Sequence, residues 1–295
     1  MHRVTLDFLN TANRDAFVAA LGTVMEHAPW IAEATYEARP FSGVSSLYQA
    51  MVGAVRNADD EHQLAFIKGH PELAGKVARE GSLTADSAAE QGSIGLDRLT
   101  EEEFATFQRL NDAYRSKCGF PFIICVRRHG KDSILREFSR RLENAASAER
   151  EIALSEIFRI AALRLDQRVD GPDRLSVHGK LSTHVLDTHV GRPATGVAVE
   201  FCEITANGIS LVLLRDKTDA DGRTERPLIS GRPIPIATYE LRFAVGDYFA
   251  GHGVTLPEPR FLDVVPVRFA VAEPEGHYHV PLLVTPWAYS TYRGS

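Results

Sequence analysis

The chain has 295 residues, of which 44% are hydrophobic and 24% charged, a composition typical of soluble globular proteins and a length typical of two domains. A net charge of −6 and a pI near 6.0 argue against a nucleic-acid-binding protein, which usually carries a basic surface. Cys118, Cys125 and Cys202 are too few and too scattered for a disulfide framework or a zinc ribbon, and they indicate a reducing compartment.

The sequence predicts no association with membranes. No apolar run reaches the ~18 residues that a membrane span requires, and the N-terminus lacks the apolar core of a secretory signal. The C-terminus is not the peroxisomal signal Ser-Lys-Leu. We therefore expect a cytoplasmic protein whose partners include neither membrane nor nucleic acid.

Residues 1–168 show the periodicity of helices. Asn13 is a predicted N-cap ahead of an apolar stripe, and a second stripe follows Ser45. Thr100 and Glu103 form a predicted capping box before a third helix. A long last helix runs through residues 152–165. These stripes predict a helical core, and we assign them no functional role.

Several segments between these helices are not explained by packing. Pro71 disfavours the α conformation for His70, so a helix should end there and leave either a turn histidine or an imidazole held for chemistry. The apolar run Gly119-Phe-Pro-Phe-Ile-Ile-Cys125 is either a buried strand or an extended loop whose backbone needs partners. Arg164 lies among apolar residues, where it either reaches water or holds an anion.

The first half resembles the 2-oxo-4-hydroxy-4-carboxy-5-ureidoimidazoline (OHCU) decarboxylases of urate breakdown. The resemblance is carried by Phe8-Leu-Asn10, Glu26-His-Ala-Pro-Trp30, Gly69-His-Pro-Glu-Leu-Ala74, Ser87 to Gln91, Gly119 to Ile124, and Glu156 to Arg164. It implies that His70 is the catalytic acid. It also implies a substrate-binding set consisting of Pro71, Ser87, Glu90, Gln91, Phe120, Phe122, Ile123, Ile124 and Arg164.

The residue types suit a decarboxylation that needs no metal and no other cofactor. The electrons left by carbon dioxide can enter the conjugated ring of the substrate itself. The enzyme must orient the carboxylate and deliver a proton to one face, and a histidine such as His70 suits that delivery near neutral pH. Glu90 can fix the imidazole or accept hydrogen bonds from ureido N–H groups.

A linker is predicted at residues 169–179, between a helical domain at 1–168 and a second domain at 180–295. Gly171-Pro172 interrupts the helical pattern, and the composition there becomes polar. The shortness of the linker indicates limited freedom between the two domains.

The period changes to that of strands after residue 180. The predicted strands are Leu181–Leu186, Val197–Ile204, Ile209–Arg215, Tyr239–Val245, Asp263–Val271 and Tyr278–Thr285. Asn207-Gly208 predicts a hairpin, and Asp219-Ala-Asp-Gly222 predicts a further turn. The pattern indicates a β-sandwich with one short helix at residues 245–251.

Polar groups recur on this second half and at its C-terminus. His277 and His279 share one face of the last predicted strand, and the chain finishes with Tyr292-Arg293-Gly294-Ser295. His184 lies on the first predicted strand, and Arg223 follows the second turn. Taken singly, a histidine on a strand is more often a satisfied core or surface group than a catalyst.

Together these residues resemble the 5-hydroxyisourate hydrolases, which have the transthyretin fold. The resemblance implies a catalytic set of His184, Arg223, His279 and Tyr292, with Arg293 and Ser295 binding substrate. A histidine can take a proton from water while an arginine stabilises the developing oxyanion. The family also implies a homotetramer through this domain, with dimer contacts through the helical domain as a further option.

We therefore expect a bifunctional enzyme that combines a helical domain with a transthyretin-like β-sandwich. It would hydrolyse 5-hydroxyisourate to OHCU and decarboxylate OHCU to (S)-allantoin. Three alternatives remain open at this point. His184, His277 and His279 could form a zinc site; the second domain could be a binding module, as transthyretin is; or one domain could serve only assembly or ligand binding.

Overall fold

The computed structural model describes residues 3–75 and 83–294. The first part of the chain is helical, as predicted. The described helices there are Leu6–Thr11, Arg14–Leu21, Pro29–Tyr36, Val44–Arg56, Asp60–Lys68, Ala85–Gly92, Glu101–Cys118, Lys131–Leu142 and Ala146–Arg168, with short 3-10 helices at Leu96–Arg98 and Val126–Arg128. Within the described residues, none of the helices is long and apolar enough to cross a membrane.

Two compact units make up the chain. The first contains the residues up to 127 together with 134–177, and the second contains 128–133 together with the residues from 178 onward. Each unit has its own hydrophobic core. The core of the first includes Phe17, Phe107 and Phe138, and that of the second includes Phe201 and Phe243.

Side-chain capping marks the start of some helices of the first unit. The Asn13 side chain accepts from the Ala16 N–H at 2.9 Å, and Thr100 and Glu103 form the predicted capping box. The helix expected after Ser45 begins one residue before it, at Val44. The segment 121–125 has no regular secondary structure, so of the two structures left open by the sequence it is the extended loop.

The two ends of the first unit are joined by a short parallel pairing. Strand β1, Val4–Thr5, pairs with strand β2, Val169–Asp170, with Val4 opposite Val169. The start of the predicted linker is therefore a strand rather than free chain. Further along it, the Val44 N–H donates to the Pro172 carbonyl at 3.0 Å.

The second unit is the predicted β-sandwich. Its strands are Gly179–Asp187 (β3), Arg192–Pro193 (β4), Ala198–Ile204 (β5), Ser210–Lys217 (β6), Ile229–Arg232 (β7), Ala237–Ala244 (β8), Val264–Val271 (β9), His277–Val284 (β10) and Tyr289–Thr291 (β11). One sheet has the order β11-β10-β3-β4, with β7 also paired to β3, and the other has the order β6-β5-β8-β9. Side chains between the sheets form the core.

The sequence missed the three shortest strands of this unit. β4, β7 and β11 span 2, 4 and 3 residues, too few for an alternating pattern to be recognised. The predicted short helix is confirmed at Val245–Gly251, and the predicted hairpin turn at residues 205–209 has Gly208 at φ 77°.

A second turn packs closely against β3. The Gly222 N–H donates to the Asp219 carbonyl at 3.0 Å, which confirms the predicted turn, and the Gly222 carbonyl accepts from the Val185 N–H at 2.8 Å. Gly222 has φ 73°, and a Cβ there would lie 2.3 Å from the Val185 carbonyl oxygen. Only glycine can adopt this positive φ without strain and also leave room for the Val185 carbonyl oxygen. The close packing of the turn holds residue 223 beside β3.

We predict that Gly222→Ala destabilises the second unit far more than Gly208→Ala. Gly208 also has a positive φ, but a Cβ there meets no atom within 4 Å, so its substitution costs only the ~1–2 kcal/mol of left-handed backbone. Gly222→Ala adds a clash that pushes the turn away from β3. Denaturant unfolding of the two variants measures the difference, and equal losses would contradict the close packing.

Candidate active sites

A solvent-open cavity lies within the first unit. It collects most of the residues that the sequence predicted for one site: His70, Pro71, Ser87, Glu90, Gln91, Phe122, Ile123, Ile124 and Arg164. Phe120 is the exception. It is not among the residues lining this cavity, and its ring packs edge-on against Tyr114 with the centroids 6.0 Å apart.

The Arg164 guanidinium is buried between two carboxylates at the cavity wall. Its Nε and Nη2 atoms donate to Glu90 Oε1 and Oε2 at 2.8 and 2.7 Å, a bidentate pair. Nη1 donates to Glu26 Oε2 at 2.7 Å, and Nη2 also donates to Ser87 Oγ at 3.2 Å. The side chains of Arg164 and Glu26 are only 4% and 3% exposed. Burial on this scale requires such pairing.

Glu26 is a site residue to which the sequence analysis assigned no role. Burial raises the pKa of its carboxyl, but hydrogen bonds from Thr84, Arg164 and Ser87 and the charge of Arg164 outweigh burial, so that its pKa is lowered. Glu26 therefore stays ionised. It lies in the segment Glu26 to Trp30, which carries part of the family resemblance, but its partner Arg164 is 138 residues away and cannot be identified from the sequence alone.

His70 faces the cavity as a neutral imidazole. Its Nδ1 lies 3.0 Å from the Phe66 carbonyl oxygen, which can only accept, so Nδ1 carries the proton and Nε2 has a free lone pair. Burial is the largest influence and lowers the pKa of His70 to about 4, although the Phe66 hydrogen bond and the Glu26 charge act in the opposite direction. The free site therefore contains a proton acceptor at neutral pH.

The irregular loop 121–125 is held by two buried charged side chains. The Cys125 N–H donates to Glu156 Oε2 at 2.8 Å, and Arg141 Nη1 donates to the Ile123 carbonyl at 2.7 Å. Arg141 is itself paired with Glu149 at 2.8 Å, and their side chains are 1% and 0% exposed. The backbone on this side of the cavity is thus fixed before any ligand arrives.

Gln91 holds the backbone of another segment that lines the cavity. Its Oε1 accepts from the Ala74 N–H at 3.0 Å, and its Nε2 lies 3.5 Å from the Glu72 carbonyl oxygen. The turn that follows His70 and Pro71 is therefore tied to the helix Ala85–Gly92. Gln91 also lines the cavity, but in this state its amide is engaged with backbone.

A second cluster lies in the second unit, where β3 and β10 run parallel. Their register places Ser182 opposite His279 and His184 opposite Pro281. The rings of His184 and His279 are 6.4 Å apart, and Ser182 Oγ lies 3.0 Å from His279 Nδ1. The Gly222 turn holds Arg223 close enough for its charge to act on both histidines.

Both histidines of this cluster are neutral at pH 7. Burial is the largest cause that lowers the pKa of His184 and of His279, and the positive charge of Arg223 lowers each pKa further. His184 Nε2 is buried and has no hydrogen-bond partner among the described residues. An unpaired buried nitrogen of this kind is where a water or a substrate group would bind.

The C-terminal tail contacts His279 through its backbone. Gly294 and His279 exchange two N–H···O bonds of 3.2 and 2.8 Å, and a Cβ on Gly294 would lie 3.0 Å from the His279 ring. Tyr292 is 57% exposed. Arg293 contacts other groups, with Nη2 3.2 Å from Glu273 and its guanidinium 4.5 Å from the centre of the Tyr278 ring. Ser295 lies outside the described residues.

Within the single chain, His184, Arg223 and His279 therefore lie close together. The guanidinium of Arg293 contacts Glu273 and the Tyr278 ring instead. Across residues 3–75 and 83–294, no three His, Cys, Asp or Glu side chains are arranged to hold a metal ion. The zinc site considered from His184, His277 and His279 therefore has no ligand set within this part of the chain.

Family models match the two parts of the chain separately. A model described as OHCU decarboxylase matches residues 10–166, and one described as the HIUase/transthyretin family matches residues 181–294. The 2-oxo-4-hydroxy-4-carboxy-5-ureidoimidazoline decarboxylase of Haloferax volcanii is 42% identical over 168 residues, which is 57% of this chain and 98% of that protein.

Similar proteins also cover the second part and the whole length. The 5-hydroxyisourate hydrolase of Ralstonia nicotianae is 52% identical over 117 residues, 40% of this chain and 99% of that protein. A solved crystal structure of an (S)-allantoin synthase is similar over 99% of this chain and 100% of its own, with 33% identity and a TM-score of 0.51.

We predict that Arg164→Leu destabilises the first unit by about 3–5 kcal/mol, because it leaves the buried Glu26 and Glu90 carboxylates without their counter-charge. Arg150→Leu is the matched control, since the Asp60 carboxylate that it pairs with is 92% exposed and such pairs contribute at most about 1 kcal/mol. Denaturant titration of both variants gives the comparison. A loss for Arg164→Leu no larger than the control would show that the carboxylates are not charged in the folded protein.

Proposed function

Since the chain belongs to the OHCU decarboxylase family through residues 10–166 and to the 5-hydroxyisourate hydrolase/transthyretin family through residues 181–294, we infer that it is a bifunctional enzyme of urate breakdown. The second unit hydrolyses 5-hydroxyisourate to OHCU, and the first decarboxylates OHCU to (S)-allantoin. The observation that carries this inference is that each unit assembles its own cluster of a neutral histidine and an arginine.

In the decarboxylation, the bond between the ring carbon and the carboxylate breaks, carbon dioxide leaves, and the electron pair stays in the conjugated ring. The substrate, as its name states, carries a hydroxyl on the same carbon as the carboxyl group. We propose that neutral His70 accepts that hydroxyl proton at Nε2 and delivers it to the neighbouring ring carbon, while water supplies the one proton taken up overall. His70 is then the proton donor in the second half of the step.

The remaining groups of this cavity orient the substrate. Glu90, which pairs with Arg164, lines the cavity and can accept from ureido N–H groups. The loop 121–125 offers backbone groups, and Ser87 offers a hydroxyl. We propose these contacts as the basis of the stereochemical outcome, since a fixed ring receives the proton on one face only.

In the hydrolysis, water attacks a ring carbonyl carbon and the ring C–N bond breaks. His184 or His279 takes the proton of the attacking water and passes a proton to the departing nitrogen, so that atoms and charge balance. Arg223 stabilises the oxyanion that forms in between. As the family resemblance implies, Tyr292 is proposed to act with these groups in catalysis, and Arg293 and Ser295 are proposed to bind substrate.

We also propose that the second unit assembles into a homotetramer. Edge strand β11 and its neighbours expose large aromatic side chains at Trp287, Tyr289 and Tyr292, which are 53%, 47% and 57% exposed. Exposed apolar groups on a sheet edge are typical of an interface.

A cytoplasmic location fits the free thiols of Cys118, Cys125 and Cys202.

The two activities should be separable by single substitutions. We predict that His70→Ala reduces decarboxylation by about 100-fold or more and leaves hydrolysis unchanged, and that His184→Ala does the reverse, because a positioned acid or base contributes about 10²–10⁴ in rate. 5-Hydroxyisourate made from urate is supplied to each variant. Ultraviolet absorbance follows its disappearance, and circular dichroism follows (S)-allantoin.

Each variant serves as the control for the other in this experiment. Full decarboxylation by His70→Ala would remove His70 from the mechanism, and full hydrolysis by His184→Ala would do the same for the second site. Absence of both activities in the unmodified protein would overturn the proposed function itself.

The pH dependence distinguishes a neutral His70 from a charged one. If His70 starts neutral and takes its proton from the substrate, kcat/KM for decarboxylation is constant from about pH 6 to 8. It then falls as the pH drops toward the His70 pKa of about 4, where Nε2 becomes protonated. A His70 that must be protonated before reaction predicts instead a tenfold decrease in kcat/KM for each pH unit above about 4.

A further inference from the structure

We infer that Arg127, and not Arg164, binds the carboxylate of the substrate in the cavity of the first unit. This inference rests on the proposed decarboxylase function and assigns to Arg127 the anion-binding role that the sequence left open for Arg164. It follows from the number of guanidinium N–H groups that are still free on each arginine and from the net charge of the cavity wall.

Arg164 has no free pair of donors for a second carboxylate. A guanidinium has five N–H groups, and hydrogen bonds to Glu26, Ser87 and both oxygens of Glu90 use four of them. Arginine recognises a carboxylate best through two parallel N–H···O bonds. Arg164 can form them with a ligand only by releasing Glu90 or Glu26, which would leave a buried negative charge without its partner.

The cluster around Arg164 is also negative overall. Glu26 and Glu90 supply two negative charges and Arg164 one positive charge, and the neutral His70 adds none. A carboxylate entering this cavity is therefore repelled unless another cation faces it. The cavity needs a positive group outside the cluster.

Arg127 meets this requirement. It lines the same cavity, at the end of the loop 121–125 and within the 3-10 helix Val126–Arg128. It is half-buried, and no ion pair or hydrogen bond joins its guanidinium to another side chain in the described part of the chain. Its full set of donors remains available to a planar anion.

The chemistry predicts which kinetic constant depends on Arg127. The carboxylate carries its full charge in the bound substrate and loses it as carbon dioxide forms. A cation that holds the carboxylate therefore stabilises the ground state at least as much as the transition state, and it lowers KM without raising kcat. Groups that act on the ring, such as His70, affect kcat instead.

The test compares Arg127→Gln and Arg127→Lys in the full chain. We expect Arg127→Gln to raise KM for OHCU by about 10- to 100-fold, the effect of losing a charge-assisted bidentate contact, with kcat within about twofold of the unmodified protein. Arg127→Lys keeps the charge but not the planar fork, so its KM should lie between those of the unmodified protein and Arg127→Gln. Arg109→Gln, which removes an exposed arginine of the helix Glu101–Cys118, is the matched control and should change neither constant.

Inhibition by (S)-allantoin separates carboxylate binding from a structural effect. The product has lost the carboxylate, so its inhibition constant should be the same for Arg127→Gln and for the unmodified protein. An unchanged KM for OHCU would overturn the inference, as would a parallel rise in KM and in the allantoin inhibition constant. Loss of decarboxylation in the unmodified protein would instead refute the proposed function, so the two failures are distinguishable.

Discussion

The pairing of buried Arg164 with Glu26 and Glu90 is the constraint on which the first active site depends. The three residues come from the turn before helix Pro29–Tyr36, from helix Ala85–Gly92 and from the long helix Ala146–Arg168. Burying one such charge alone costs several kcal/mol, so the packing of each element is stabilised by the presence of the other two. His70 remains neutral beside them chiefly because burial lowers its pKa. Because the three charges are paired with one another, an anion must be attracted by a group outside the cluster.

The second active site is positioned by backbone pairing rather than by buried ion pairs. The parallel register of β3 and β10 places the two histidines near each other, and the Gly222 turn and the Gly294 bridge add groups from two further segments. Both sites nevertheless lower histidine pKa values chiefly by burial. The two units thus reach a similar chemical state, a neutral imidazole near a cation, by different structural means.

Much of the fold could be predicted from the sequence because it depends on local rules. The Asn13 cap, the Thr100–Glu103 capping box and the turn at Asp219 to Gly222 each involve residues within four positions of one another. The short strands β4, β7 and β11 escaped prediction because segments of two to four residues are too short to show a clear alternating pattern.

The composition of the first site followed from a family resemblance, but its internal connections did not. Whether Arg164 faces a ligand or a carboxylate depends on Glu26, 138 positions away. Phe120 was expected at the cavity, yet its neighbour Phe122 lines it and Phe120 packs against Tyr114, a difference set by how the irregular loop is anchored. The contact of Arg293 with Glu273 likewise depends on tertiary packing that a linear pattern does not contain.

The pairing of Val4 with Val169 allows the helical unit to be circularly permuted. Paired strands lie about 4.8 Å apart, so the start of this unit lies beside the end of its last helix. A short loop can close the unit there into an uninterrupted ring of chain, and new termini can be opened at an exposed connection elsewhere. The same architecture can therefore form when its helices are encoded in a different order along the gene.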